Sequence, residues 1–324
     1  MKSCIEAVRH YFDMRTKNWL NSEPSSFQDI VASESHPKWL CHMVHQAERK
    51  RSAYAAQGKR LGRAHTNVKV LEVNTTPDKE TAHVTAIEEI CWAYNDKQEP
   101  AVECRLIVHR QVWRYLDHAW VLTKADETSD GYSFESEDRE AEVDVPVRMP
   151  SVPWRRASYD RIRASRYADV WWDQFNPRYP KISSDDCTNF ISQCLHAGGL
   201  PMTGHGNRAK GWWIITGKGK GESWSYSWAT SHALYKYLRK TVGATLVQKP
   251  SELKIGDLIF YDWNGTGTYH HSTIVTDFDD LGDPLVNAHT DPSFRRPYTY
   301  YDSRAWTEQT RYAFVHMPDD LQSK

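Results

Sequence analysis

No apolar run in this sequence approaches the roughly 20 residues that a membrane-spanning helix needs, so no helical membrane span is expected. The opening stretch, MKSCIEAVRHYFDMRTKNWL, has no continuous apolar core of the kind a secretion signal carries. The expectation is a cytoplasmic protein, or a secreted or cell-wall-associated one if the sequence is a trimmed piece of a longer chain. Excess charge is missing too. The formal net charge is −1 over 324 residues, which supplies no basic field for nucleic acid. The six cysteines (Cys4, Cys41, Cys91, Cys104, Cys187 and Cys194) contain no C-x-x-C pair. A disulfide framework and a zinc site are therefore not expected. Free thiols in a reducing compartment are. His270-His271 and His289 lack the spacing of a helical zinc hydrolase, so no metal or cofactor is expected.

What is present reads as α+β, in two parts. Residues 3–20 and 37–57 carry apolar residues at helical spacing. Asn67–Thr75, Thr81–Tyr94, Ala101–Leu116 and His118–Thr123 alternate, are rich in Val, Ile, Thr and aromatics, and are separated by turn signals. Helices followed by an antiparallel meander make an α+β unit over residues 1–125. Residues 126–153 are largely acidic and polar, with prolines at the end, and read as a linker. A second domain covers 154–324. It has helices near Tyr159–Phe175, 184–197 and Ser231–Thr241, then short strands at Asp257–Asp262, Ser272–Phe278, Pro284–His289 and Tyr312–His316.

The stretch SSDDCTNFISQCLHAGG, residues 183–199, places Cys187 in the first turn of a helix, with Ser184 or Asp185 as candidate caps. A helix start carries a partial positive charge that favours a thiolate. Asp186 opposes it, so an imidazolium is needed as well. The alternative is that Cys187 is a buried packing residue, the reading kept for Cys194 in mid-helix. The second signal is TYHHSTIV, where His271 opens a strand. If that strand pairs with PLVNAHT, Asn287 falls across from His271 on the same face. His289 falls two residues further along. Either would hold an imidazole in one tautomer.

The ordered blocks DDCTNFISQCLHAGG, GWW, WSYSW, LKIGDLIFYDW, HHSTIV and PLVNAHT cover about residues 155–318. Together they resemble the putative amidase domain of spore-forming bacteria, of the papain-like superfamily beside CHAP and NlpC-type cell-wall hydrolases. That resemblance implies a papain-like domain with its N-terminal helices packed on a small antiparallel sheet. It implies a thiol amidase or peptidase acting on a peptide or peptidoglycan-like substrate through a thioester. Cys187 would be the nucleophile, His271 the base and Asn287 the third residue, with His289 as its alternate. The Cys187 N–H would help hold the oxyanion, with Tyr179 or Asp186 completing the hole. Trp212 and Trp213 either line the groove or form core. The rival functions are a non-hydrolytic peptide- or glycan-binding module and an acyltransferase. The element order of residues 1–125 resembles cone-shaped nuclear-transport-factor-like domains and implies a targeting or homodimerising module. Its histidines His83, His109 and His118 read as partly exposed strand residues.

Overall fold

The structure is a computed structural model and describes residues 3–21, 27, 30–31, 38–95, 100–127, 157–182, 186–216 and 223–321. The chain divides into two units. The first holds residues 1–129 and a returning segment, Thr299–Arg304; the second holds the rest.

The first unit begins with helix α1 (Cys4–Leu20), capped by Ser3, whose hydroxyl accepts the Glu6 N–H while the Glu6 carboxylate accepts the Ser3 N–H. Helix α2 (Lys38–Ala56) follows, then an antiparallel meander of β1 (Arg60–Thr75), β2 (Thr81–Asn95), β3 (Pro100–Leu116) and β4 (Ala119–Glu127). Alternation is strict along β2, where every second residue from Ala82 to Tyr94 is buried. Tyr11 and Phe12 of α1 pack with Trp113 and Leu122 of the sheet. The acidic linker reading falls mostly outside the described residues; its first two positions, Asp126 and Glu127, end β4.

Two expectations for this unit are corrected. Cys91 and Cys104 stand directly opposite on β2 and β3 and are joined as a disulfide. A search for close spacing misses such a pair, because strand register, not sequence proximity, brings it together. His109 is fully buried rather than partly exposed. It faces inward on β3, with its Nε2 2.8 Å from Glu88 Oε2. Glu88 also accepts from Arg15 Nε at 2.9 Å, and Arg15 donates both Nη groups to Glu127 at 2.8 and 3.0 Å.

Burial alone would raise the Glu127 carboxyl, but Arg15 and Arg304 outweigh it and hold it down at about 2. A carboxyl lowered on folding contributes stability that is present above its ordinary value of 4.5 and is lost as pH falls through 2. The expected contribution is about 3 kcal/mol. The unfolding free energy of wild type minus that of Glu127→Gln should shrink by that amount between pH 6 and pH 2. A difference that does not change with pH would refute this.

The second unit opens with β5 (Ala157–Ser158), α3 (Arg161–Trp171) and α4 (Asp186–Ala197). A hairpin of β6 (Ile214–Ile215) and β7 (Ser223–Trp224) precedes α5 (Tyr226–Ala229) and α6 (Ser231–Tyr237), which continues in a wider turn over Leu238–Val242. The sheet uses β8 (Thr245–Val247), β9 (Leu258–Asp262), β10 (His271–Phe278), β11 (Pro284–Ala288), β12 (Ser293–Pro297) and β13 (Arg311–His316). Its order is β12-β11-β10-β9-β13-β8, antiparallel throughout. A final strand, β14 (Asp320–Leu321), pairs with β5. Both units are therefore mixed α+β, built around antiparallel sheet.

Helices α3 and α4 cover one face of this sheet. Ala164, Ala168, Phe190, Ile191 and Leu195 meet Leu258, Phe260 and Ile274 in one core. Helix α4 is buried from Asp186 to Leu195, which explains why its polar residues must all find partners. The Gly256-Asp257 pair belongs to the frame. Gly256 has φ +82°, and a Cβ there would stand 3.0 Å from the Arg161 Cα. The buried Asp257 carboxylate accepts from Arg161 and His316 and from the Lys254 and Met317 N–H groups. Among the described residues no helix is long and apolar enough to cross a membrane.

Candidate active site at the start of helix α4

Cys187 is the second residue of α4 and is buried. The caps expected for this helix, Ser184 and Asp185, lie outside the described residues. The Cys187 N–H donates to Thr290 Oγ1 at 3.2 Å. Its Sγ lies 3.7 Å from Thr188 Oγ1 and 4.0 Å from Ser231 Oγ. Thr188 and Ser231 are 2.8 Å apart, and each lies 3.4 Å from Ser272 Oγ. Three elements thus meet beside the thiol: the first turn of α4, the first residue of α6 and the second residue of β10.

His271 immediately precedes Ser272. It is fully buried, stands opposite Tyr261 of β9, and lies nearly parallel to the Trp263 ring at 6.0 Å. Side chains alternate along β10. Ser272 and Ile274 face the helices, while His271 and Thr273 share the other face with Tyr261, whose hydroxyl is 3.3 Å from Thr273 Oγ1. His270 precedes the strand and donates its N–H to the Tyr261 carbonyl at 2.8 Å. Its Nδ1 is buried with no hydrogen-bond partner among the described residues.

The expected register is corrected. Asn287 stands across from Ile274, not His271. A five-residue turn does join the strands, but pairing starts at Phe278 and Pro284, which carries Asn287 towards the middle of β10. There its Nδ2 donates to Asp169 of α3 at 2.9 Å, and its Oδ1 accepts from Thr276 Oγ1 at 3.0 Å and the Arg295 N–H at 2.8 Å. Burial pushes the Asp169 carboxyl up, against the Asn287 bond. His289 also turns to the helices. Its Nδ1 is 2.6 Å from Asp186 Oδ2 and its Nε2 is 2.7 Å from the Trp171 carbonyl.

Comparison with known proteins bears on the second unit. Residues 158–315 match the family described as "Putative amidase domain". The match to this amidase family runs from the end of β5 into β13 and includes Cys187, His271, Asn287 and His289. Two curated relatives come from Bacillus subtilis (strain 168), and both are described only as uncharacterized. YhbB is 48% identical over 169 residues, 51% of this chain and 52% of its own length. YjcM is 28% identical over 128 residues, 36% of this chain and 28% of its own length. The chain therefore spans about half the length of one and under a third of the other. The intermembrane-space region of the chloroplast protein ARC6 aligns with 37% of this chain and 90% of its own, at 14% identity and a TM-score of 0.28. No argument rests on that score.

Within the stretch matched to the amidase family, the residues offered as substrate contacts are buried or partly buried. Trp212 and Trp213 are buried core, with Nε1 groups spent on Ser192 Oγ and the Lys210 carbonyl. Asp186 has both carboxylate oxygens engaged inside the fold, since Oδ1 accepts from the Ile182 N–H at 3.3 Å and Asn189 Nδ2 at 3.0 Å. Tyr179 is partly buried and stacks on Trp228 at 6.0 Å; burial raises its phenol to about 12. Cys194 is fully buried, and its thiol is pushed well up by that burial. Three site residues escaped the sequence reading: Ser231, Ser272 and Thr290. Ser272 sits in the HHST block and was legible. Ser231 had no signal. Thr290 follows His289 and adopts φ +84°, an outlier for a β-branched residue.

Proposed function

We propose that the amidase-family domain is a thiol hydrolase of papain-like arrangement that cleaves amide bonds in cell-wall-type peptides, with Cys187 as nucleophile. The observation that carries this is the meeting of the α4 start, where the dipole favours a thiolate, with the start of β10, where His271 and Ser272 lie. In this reading His271 takes the Cys187 proton, reaching it around the open start of β10 from the face that it shares with Thr273. The sulfur attacks the amide carbon, the C–N bond breaks with the proton passing to the leaving amine, and water hydrolyses the thioester. The Cys187 N–H, held by Thr290 Oγ1 in the resting site, turns to the substrate oxygen as charge develops there. Asn287 acts at one remove, by holding β11 to α3.

A second reading moves the base to His270. It directly precedes β10, and its Nδ1 is buried without a partner among the described residues.

Iodoacetamide labelling of Cys187 against pH, read by peptide mass spectrometry, tests the assignment. Wild type should label rapidly below pH 7, and loss of the base should slow it at least tenfold. If His271→Ala slows it and His270→Ala does not, the base is His271; the reverse result selects His270. Labelling at the pace of an ordinary thiol of pKa about 8.5, whichever histidine is present, would leave a binding module instead. An acyltransferase would keep the reactive thiol and yield an acylated amine or alcohol when such an acceptor is supplied.

A further inference from the structure

The Asp186–His289 contact has a proton count that can be worked out. The Trp171 carbonyl can only accept, so His289 Nε2 carries a hydrogen. Asp186 Oδ1 receives two N–H donors, from Ile182 and Asn189. An ionised Asp186 can only accept at Oδ2, so His289 Nδ1 carries a hydrogen as well. Both ring nitrogens are then protonated. The ring lies flat on Phe190 at 4.0 Å and edge-on to Phe175 at 5.2 Å, a setting suited to a cation. Neither nitrogen is left to accept a proton or to orient a second imidazole.

We propose that His289 is a positioning residue, held as an imidazolium by Asp186, whose charge cancels that carboxylate beside Cys187 and so lets the thiolate form near neutral pH. The inference rests on the reading of Cys187 as nucleophile. It resolves the conflict in the Asp-Cys pair, where a bare carboxylate one residue from the thiol would oppose ionisation. With the pair neutral, Asp186 no longer opposes the helix dipole and the histidine base. The same contact ties the end of β11 to the start of α4 and presents Thr290 to the Cys187 N–H. Tyr167 of α3 is raised chiefly by burial, with Asp186 a lesser cause. The Lys181 ammonium stands 4.5 Å from the Phe175 ring centre.

Two measurements on the full chain decide the matter. The first is nitrogen-15 NMR of histidine-labelled wild type at pH 7.5. Both His289 nitrogens should show the protonated signature; one bare nitrogen would overturn the proposal. The second is Cys187 labelling at pH 7 in wild type, His289→Gln, Asp186→Asn and the double variant. His289→Gln should label at least tenfold more slowly, equivalent to about one pKa unit. The double variant should recover most of that loss, which a packing role for His289 would not allow. A double variant as slow as His289→Gln, or no effect of His289→Gln, would overturn it. If wild-type Cys187 is no faster than an ordinary thiol, the nucleophile reading fails and the role of the pair fails with it. The NMR result then still decides whether the ion pair exists.

Discussion

Cys187→Ser should keep the fold and lose amide hydrolysis. A serine hydroxyl fits beside Thr188 and Ser231, which lie next to the sulfur and form a hydroxyl cluster with Ser272. The melting temperature should therefore stay within a few degrees of wild type. The chemistry should not survive, because a hydroxyl in place of a thiol ionises far less readily and this site is built to stabilise a thiolate. Loss of a nucleophile costs on the order of 10⁶-fold in kcat where measured in a serine protease. A variant retaining more than a tenth of wild-type kcat/KM on an amide substrate would show that Cys187 is packing and that hydrolysis, if present, uses another group.

The largest stability effect is expected at Asp257. Its carboxylate takes a hydrogen bond from Arg161 Nη1 at 2.6 Å, one shared with His316 Nδ1 at 2.7 Å, and two from backbone N–H groups, Lys254 at 2.8 Å and Met317 at 2.9 Å. Arg161 is itself raised by this carboxylate against the cost of its burial. Asp257→Ala removes the acceptor and leaves every donor in place. Breaking a buried pair in this way costs about 3–5 kcal/mol, a large share of the 5–15 kcal/mol typical of a folded domain. Urea unfolding should show the midpoint falling accordingly. A loss below about 1 kcal/mol would mean that the network is worth no more than surface ion pairs. The Gly256-Asp257 pair is on this account a clamp joining α3, the turn before β9 and the end of β13.

The elements that sequence made legible are those whose periodicity is clean. Strands β2 and β3 alternate without interruption, and α4 places Phe190, Ile191, Cys194 and Leu195 towards the sheet. β12 was missed because SFRRP carries two arginines, one of which, Arg296, is nonetheless fully buried. β8 was missed because it has only three residues. At the site, the helix start and the histidine strand could be placed from local pattern. The third residue could not, because its position depends on where pairing starts: counting back from Phe278 and Pro284 sets Asn287 opposite Val275, and a bulge near Thr276 moves it one residue further, to Ile274. The Asp186–His289 pair joins residues 103 apart in sequence, and no local rule reaches that far.

The returning segment Thr299–Arg304 has a consequence for how the two halves can be inherited or separated. It lies inside the stretch matched to the amidase family, yet it packs with the first unit. Asp302 pairs with Lys50 and Arg105, and Arg304 Nη2 reaches Glu127 at 3.2 Å. A gene cut at the acidic stretch would therefore not yield two whole products. The upstream product would keep the buried Lys50, Arg105 and Glu127 while losing partners encoded some 170 codons downstream, an interval set by the Asp302 and Glu127 positions. A recombination that exchanged one half for a foreign one would meet the same obstacle unless the newcomer brought an acid and a base to those places. The halves look modular on paper, but they have to be passed on together.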